Sequence, residues 1–178
     1  MDKMNMIEFV ERKEECCGCY ACFNVCPVHA IEMRSDEEGF SYPELSKEKC
    51  INCGKCEKAC PIRNVKKIKS LEISYGCYSK QYEEQMSSSS GGFFSVLART
   101  ILLDGGVVCG AAFDGSKGVK HTIIDTIDEL HLLKGTKYVQ SRIGNVYQEI
   151  KLLLEQGKKS IIFRYLLSGG GIKELFSS

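Results

Sequence analysis

Eight of the 11 cysteines belong to one pattern that occurs twice. The first copy is Cys16-x2-Cys19-x2-Cys22-x3-Cys26-Pro27, and the second is Cys50-x2-Cys53-x2-Cys56-x3-Cys60-Pro61. Every position recurs at one constant offset, which indicates an internal duplication. Thiolates at this spacing are ligands for iron, and runs that end in Cys-Pro are typical of loops that bind [4Fe-4S] clusters.

The spacing also predicts which sulfurs share a cluster. Three cysteines on one tight loop can bind three irons of a cubane, whereas the longer step to the fourth cysteine, followed by Pro, directs its sulfur to the other cluster. The predicted ligands of the first cluster are Cys16, Cys19, Cys22 and Cys60. The predicted ligands of the second cluster are Cys50, Cys53, Cys56 and Cys26.

Structural zinc and disulfides are the weaker interpretations of the same cysteines. Zinc usually takes two Cys-x2-Cys pairs separated by a longer spacer, and disulfides are typical of oxidising compartments. Neither explains two runs of three cysteines plus one. The other cysteines, Cys17, Cys77 and Cys109, are expected to be buried or bystander thiols.

Short elements must position these loops. Residues 20–25 and 54–59 are each predicted to form one or two helical turns, and residues 30–43 predict a β-hairpin around a turn-rich centre. Residues 16–61 resemble a bacterial two-cluster ferredoxin, which implies an α+β ferredoxin-like domain over residues 1–66. Such a domain has little apolar core, so the clusters replace it and the cluster-free form is expected to be largely unfolded.

The pattern changes after this domain. Strands are predicted at 71–79, 107–113, 123–124 and 160–163, and helices at 93–103, 128–133 and 143–154. A Ser-Gly loop at 87–92 precedes the first of these helices. Because strands alternate with helices, residues 67–163 predict an α/β domain.

Three stretches of this second region, SSSSGGFFSVLARTILLDGGVVCGAAF, GTKYVQSRIGNVYQEIKLLLEQGK and SIIF, are similar to the beta subunit of the coenzyme F-420 hydrogenase and dehydrogenase family. The resemblance covers about residues 71–163. It implies a flavin-binding domain that moves electrons between iron-sulfur clusters, FAD and a deazaflavin or other partner. It also implies cofactor contacts from the Ser-Gly loop and the KYVQS element, namely Ser89, Ser90, Gly91, Gly92, Lys137, Tyr138, Gln140 and Ser141.

The Ser-Gly loop has a physical basis for such a role. Free amides and the helix dipole at a helix N-terminus favour an anionic group such as a phosphate or a reduced flavin. A plain helix cap is the alternative, since serine and glycine are common at caps and in flexible loops.

The end of the chain departs from that family. Family members continue with Gly-Thr-Pro-Cys-Gln and a long second half, whereas residues 164–178 read RYLLSGGGIKELFSS. One possible coding of this tail, read one base later, gives Gly-Thr-Tyr-Cys-Gln and an amphipathic helix. We therefore expect an aberrant, frameshifted tail, an incomplete α/β domain, marginal solubility and disorder in the tail.

Charge and hydropathy restrict the partners. The 178 residues include 24 Lys and Arg against 23 Asp and Glu, a net charge of +1, so no nucleic-acid partner is indicated. No window approaches the roughly 18 apolar residues of a membrane helix, and the N-terminal residues are too charged for a secretory signal. We expect a cytoplasmic protein without membrane insertion, where cysteines stay reduced.

These features predict an iron-sulfur electron-transfer protein that resembles the ferredoxin-containing beta subunit of a flavin-dependent oxidoreductase. Its expected cofactors are two [4Fe-4S] clusters and, by the resemblance, FAD. Its expected partner is a redox protein or a flavoprotein, and the shortened chain is expected to have electron-transfer activity only. The sequence assigns no catalytic residue. The alternatives are a simple two-cluster ferredoxin with an inactive truncated appendage, and a redox-silent domain whose clusters only hold the fold.

Overall fold

A computed structural model describes residues 13–64, 75–115 and 118–162. The chain divides into two compact units. The first contains the described residues 13–64 together with 143–147, and the second contains the remaining described residues. Within these ranges, no helix is long and apolar enough to cross a membrane.

The first unit is built from very short elements. A single turn of 3-10 helix, Lys13–Glu15, precedes the helices α1 (Ala21–Val25) and α2 (Lys55–Ala59). Between the helices lie the strands β1 (Ile31–Ser35) and β2 (Ser41–Leu45), which pair antiparallel. The two predicted helical turns and the predicted β-hairpin are therefore confirmed.

The Asp36 side chain fixes the turn of this hairpin. Its carboxylate accepts the backbone N–H groups of Glu38, at 3.1 Å, and Phe40, at 2.9 Å. Lys13 forms an ion pair with the same carboxylate, and its ammonium lies 4.6 Å from the centre of the Tyr42 ring. The hydrogen bond from Lys13 lowers the pKa of Asp36. These contacts connect the hairpin to the residues that lead into the first cysteine loop.

The apolar core of residues 13–64 is small. Its buried apolar side chains, most of them alanines, are Tyr20, Ala21, Ala30, Ile31 and Ala59. At about 25 cal/mol per Å² of buried apolar surface, so few side chains supply little stabilisation. This composition agrees with a domain in which cluster binding contributes folding free energy.

The second unit is a small α/β structure. Its helices are α3 (Tyr82–Met86), α4 (Phe93–Leu103), α5 (Leu130–Leu133) and most of α6 (Val146–Glu155). Its strands are β3 (Val107–Phe113), β4 (Val119–Ile124) and β5 (Ser160–Ile162), in the order β4-β3-β5. The central strand β3 pairs antiparallel with β4 and parallel with β5.

The core of this unit lies between the sheet and the helices α4 and α5. Its buried members are Ala98, Leu102, Val108, Ala112, Ile124, Leu130 and Leu133. The predicted helix 93–103 and strand 107–113 are confirmed at both ends. The short predicted helix near 128–133 is also confirmed, as α5.

Two predictions for the second region need correction. Residues 75–79 form no strand. Tyr75 and Tyr78 are 80% and 71% exposed and only Ser79 is buried, so the segment has no apolar face to pack against a core. The predicted helix 143–154 begins only at Val146, although Ile143 before it is buried. Residues 71–74, Phe163 and the predicted aberrant tail 164–178 lie outside the described residues.

Gly106 closes the turn between α4 and β3. Its N–H donates to the carbonyl oxygen of Ile101 at 2.9 Å. A Cβ at Gly106 would lie 2.7 Å from Ile101 Cγ2 and 2.8 Å from the carbonyl oxygen of Lys159. The sheet and α4 therefore approach each other more closely here than a side chain allows.

We predict that Gly106→Ala lowers the free energy of unfolding by about 1–3 kcal/mol, the usual cost of overpacking. Urea unfolding followed by circular dichroism measures the change. The matched control is Gly76→Ala, where an added Cβ meets nothing within 4 Å. Equal stability of the two variants would contradict the packing described here.

Candidate metal centre

The two cysteine loops have the same backbone conformation. In the first loop Gly18 and Tyr20 have φ of 56° and 61°, and in the second Asn52 and Gly54 have φ of 52° and 69°. These residues occupy equivalent positions of the two sequence copies. Left-handed backbone is uncommon outside glycine, so its recurrence at both positions shows that each loop turns around its three cysteines in the same way.

Each loop leads into one helical turn that ends at the fourth cysteine. Cys26 has φ −71° and ψ 112°, and Cys60 has φ −73° and ψ 118°. Both values are extended, as expected for a residue that precedes Pro, because the proline ring disfavours helical backbone at the position before it. Pro27 and Pro61 therefore end each helical turn at the fourth cysteine.

Backbone N–H groups point at the sulfurs in both copies. The N–H of Asn52 donates to Cys50 Sγ at 3.4 Å, and the N–H of Ala30 donates to Cys26 Sγ at 3.3 Å. The backbone N–H groups of Gly18, Phe23 and Glu57 also act to lower the pKa of Cys16, Cys22 and Cys56, respectively. Such bonds stabilise negative charge on sulfur and tune the potential of a bound cluster.

A cavity brings together the four predicted ligands of the first cluster. Its empty space, including the mouth, is about 500 Å³. Cys16, Cys19 and Cys22 line it together with Cys60 from the second copy. Cys17 also lies on its wall, so this cysteine is next to the predicted cluster and not a remote bystander.

Thiols of the two copies interact electrostatically. Cys16 interacts with Cys19 and with Cys60, and Cys56 interacts with Cys53 and with Cys26. Cys22 also interacts with Cys56. Cysteines of both copies therefore lie near one another in this unit.

Burial makes several of these thiols poor acids in the cluster-free chain. It raises the pKa of Cys22 well above the ordinary value, and the nearby Cys19 and Cys16 raise it further. Burial also raises the pKa of Cys16 and of Cys56, while backbone hydrogen bonds act in the opposite direction. The groups are therefore protonated near neutral pH until they bind metal.

The donor set fits [4Fe-4S] clusters. All eight predicted ligands carry sulfur, the soft donor that iron-sulfur clusters use. Among the described residues no three His, Cys, Asp or Glu side chains converge on a point where one metal ion would sit. A cubane does not require such convergence, since each thiolate binds a different iron corner.

Comparison with known proteins supports the same kind of site. The family model of the 4Fe-4S dicluster domain matches residues 15–64, less than a third of the chain. No curated protein matches the chain. Residues 15–64 are thus a ferredoxin-type iron-sulfur domain.

Two of the segments predicted to contact a flavin meet in the second unit. Ser89 Oγ in the Ser-Gly loop accepts the N–H of Thr136 at 2.9 Å. Lys134 donates to Ser87 Oγ at 3.1 Å. The Ser-Gly loop therefore lies against the start of the GTKYVQS segment, although the two are far apart in sequence.

Both glycines of the Ser-Gly loop have a structural role. A Cβ at Gly91 would lie 2.4 Å from the carbonyl oxygen of Cys77, so only glycine fits. Gly92 has φ 78° at the N-cap of α4. Ser89 and Ser90 are exposed next to them.

The predicted residues of the KYVQS element have diverse environments. Lys137 donates to the carbonyl oxygens of Leu133, at 3.1 Å, and Lys134, at 2.7 Å, and so caps α5. Tyr138 is 88% exposed. Gln140 is half-buried. The segment forms no strand and precedes a single bridge to β4, whereas the sequence predicted a strand end.

Sequence reasoning missed two polar contacts of this region. Glu84 is buried, and its carboxylate lies 2.5 Å from the Lys134 ammonium. His121 Nδ1 lies 2.8 Å from Ser141 Oγ. Periodicity alone gives no signal for either, because each joins residues from different elements.

We predict that cluster assembly on the cluster-free chain weakens as the pH falls from about 8.5 to about 7, because protonated thiols must lose protons to bind iron. This direction of the pH dependence follows from the raised pKa of Cys16, Cys22 and Cys56. Protonated thiols favour the cluster-free fold at low pH. As the pH rises through the pKa values of the thiols, binding of iron becomes more favourable.

The measurement is the extent of anaerobic reconstitution with ferrous iron and sulfide, followed by cluster absorbance. Assembly on a small free thiol in the same buffers corrects for the pH dependence of sulfide. An extent that is independent of pH after this correction would contradict the prediction.

Proposed function

We propose that this chain transfers electrons through two [4Fe-4S] clusters bound by crossed sets of cysteines. Cys16, Cys19, Cys22 and Cys60 hold the first cluster. Cys50, Cys53, Cys56 and Cys26 hold the second. The clusters supply one-electron chemistry, and the chain supplies ligands, backbone hydrogen bonds and a fixed separation.

The observation that carries this proposal is the position of Cys60 in the cavity of the first loop. Three cysteines of one copy and the fourth of the other line this cavity, which is the ligand set predicted for one cubane. Ligands exchanged in this way would hold two clusters side by side, where an electron can pass between them.

We predict that the intact chain, reconstituted anaerobically, contains about eight irons, and that Cys60→Ala and Cys26→Ala each lose a large part of one cluster. Cys77→Ala is the matched control, because Cys77 is exposed and outside both predicted sets. Iron and sulfide analysis with electron paramagnetic resonance of the reduced proteins gives the counts. Full iron content in both ligand variants would refute the ligand assignment.

Reversible reduction separates an electron carrier from a domain whose clusters only hold the fold. A ferredoxin-type protein should accept and release electrons at about −400 mV without loss of iron. Spectroelectrochemical titration measures this property. Cluster decay upon the first reduction would favour the purely structural role.

We further propose that residues 1–66 form the cluster domain and that residues 67–163 form a flavin-binding domain of an oxidoreductase beta subunit. The hydrogen bond from Thr136 to Ser89 supports this, since it brings the Ser-Gly loop next to the start of the segment that contains the KYVQS element. The side chains of Ser90 and Tyr138 are exposed, so their hydroxyl groups and the Tyr138 ring can contact a ligand. The expected partner is a flavoprotein or another redox protein, in the reducing cytoplasm.

We predict that the protein, purified anaerobically, binds FAD and that Tyr138→Ala weakens this binding by about tenfold or less, the effect of losing one aromatic contact. Tyr75→Ala is the control, because Tyr75 is similarly exposed at 80%. Flavin absorbance and a fluorescence titration measure binding. A chain that holds both clusters but no flavin would instead be a simple two-cluster electron carrier.

A further inference from the structure

The two cysteine loops share a backbone but differ in exposure. In the first loop Gly18, Tyr20, Ala21 and Asn24 are buried. At the equivalent positions of the second loop, Asn52, Lys55 and Lys58 are exposed and Gly54 is half-buried. The second loop is therefore at the surface of its unit, whereas the first is covered.

The predicted ligands follow the same division. Cys53 is exposed, while its counterpart Cys19 is half-buried. Ile51, between the ligands Cys50 and Cys53, is 61% exposed. A cluster on the second loop would thus lie close to solvent and to any protein that touches this loop.

The charges around the loops also differ. Lys49 stands directly before Cys50, where the first copy has Glu15 before Cys16. Lys55 and Lys58 replace the uncharged Ala21 and Asn24. We call Lys49, Lys55 and Lys58 the lysine rim. Its three members are exposed and form no salt bridge with any residue of 13–64, 75–115 or 118–162.

Two acidic residues, Glu48 and Glu57, share this exposed segment. Together with Lys47, which is also exposed, the lysine rim gives four lysines against these two glutamates, so residues 47–58 have a net charge of +2. A positive surface of this kind attracts an acidic protein and accelerates its association.

We propose that the second cysteine loop and the lysine rim form the docking surface for an acidic redox protein, which exchanges electrons with the chain through this exposed loop. This inference rests on the proposed electron-transfer function. Only one electron moves at each encounter, from the reduced chain to the oxidised partner or in the reverse direction, and no bond forms or breaks.

The difference in exposure between the two loops supports a direction of electron transfer within the chain. Reduction adds a negative charge, which costs more in a buried environment than beside water and lysines. The added electron is therefore more stable next to the second loop, where the partner docks. The cluster on the covered loop then exchanges electrons with the partner through the cluster on the second loop. Ile51 supplies an apolar contact in the interface.

The test uses the full chain with both clusters and flavodoxin, a small acidic flavoprotein, as the probe. Iron analysis first establishes that every variant contains both clusters, so a failure of the proposed function is seen before docking is measured. The variant is Lys49→Gln/Lys55→Gln/Lys58→Gln. The control is Lys80→Gln/Lys151→Gln/Lys158→Gln, which removes the same charge from exposed lysines of the second unit.

We expect the lysine-rim variant to bind oxidised flavodoxin about 5- to 10-fold more weakly at low ionic strength, with a similar fall in the rate of electron transfer. Isothermal titration calorimetry and stopped-flow absorbance measure the two quantities. The control variant should behave as the unchanged protein, and added salt should reduce the difference between all three proteins.

Equal losses in both variants, or no loss in either, would overturn the proposal, since the rim would then have no special role. A third result would also overturn it. If the rim variant lost affinity for a duplex oligonucleotide while its reaction with flavodoxin stayed unchanged, the surface would be a nucleic-acid site.

Discussion

In the proposed ligand assignment, the first unit depends on sulfur ligands that cross between its two halves. Within residues 13–64 the buried apolar side chains are few and most are alanines, and Ile143, Val146 and Tyr147 of the same unit add buried apolar surface. The prolines after Cys26 and Cys60 disfavour helical backbone at the preceding position, and both cysteines are extended. Under this assignment neither copy supplies a complete ligand set, so cluster binding requires both halves to fold together.

Duplication gave the two loops one backbone, and later substitutions gave them different surroundings. The same φ values at equivalent positions hold three thiols in each loop. Around the first loop are Tyr20 and Ala21, both buried, and around the second are exposed lysines. Identical ligands can therefore serve clusters with different potentials, because exposure, hydrogen bonds and nearby charge set the potential.

The cysteine spacing predicted the iron-sulfur domain and its short helices, because ligand geometry is encoded locally in the chain. Helix α4 and strand β3 were predictable for a similar reason, since each has a clear apolar pattern and Gly105-Gly106 separates them. The strand expected at 75–79 was wrong, because burial depends on partners that are distant in sequence. The contacts of Ser89 with Thr136 and of Glu84 with Lys134 could not be predicted either, since they join separate elements.

The central claim is that one cysteine of each copy belongs to the cluster of the other. Iron-edge anomalous diffraction from crystals of the anaerobically reconstituted protein tests it most directly. We predict two separate groups of iron, with Cys60 Sγ bound to the group that Cys16, Cys19 and Cys22 hold. Cys60 bound to the same group as Cys50, Cys53 and Cys56, or a single iron or zinc ion in place of either group, would contradict it.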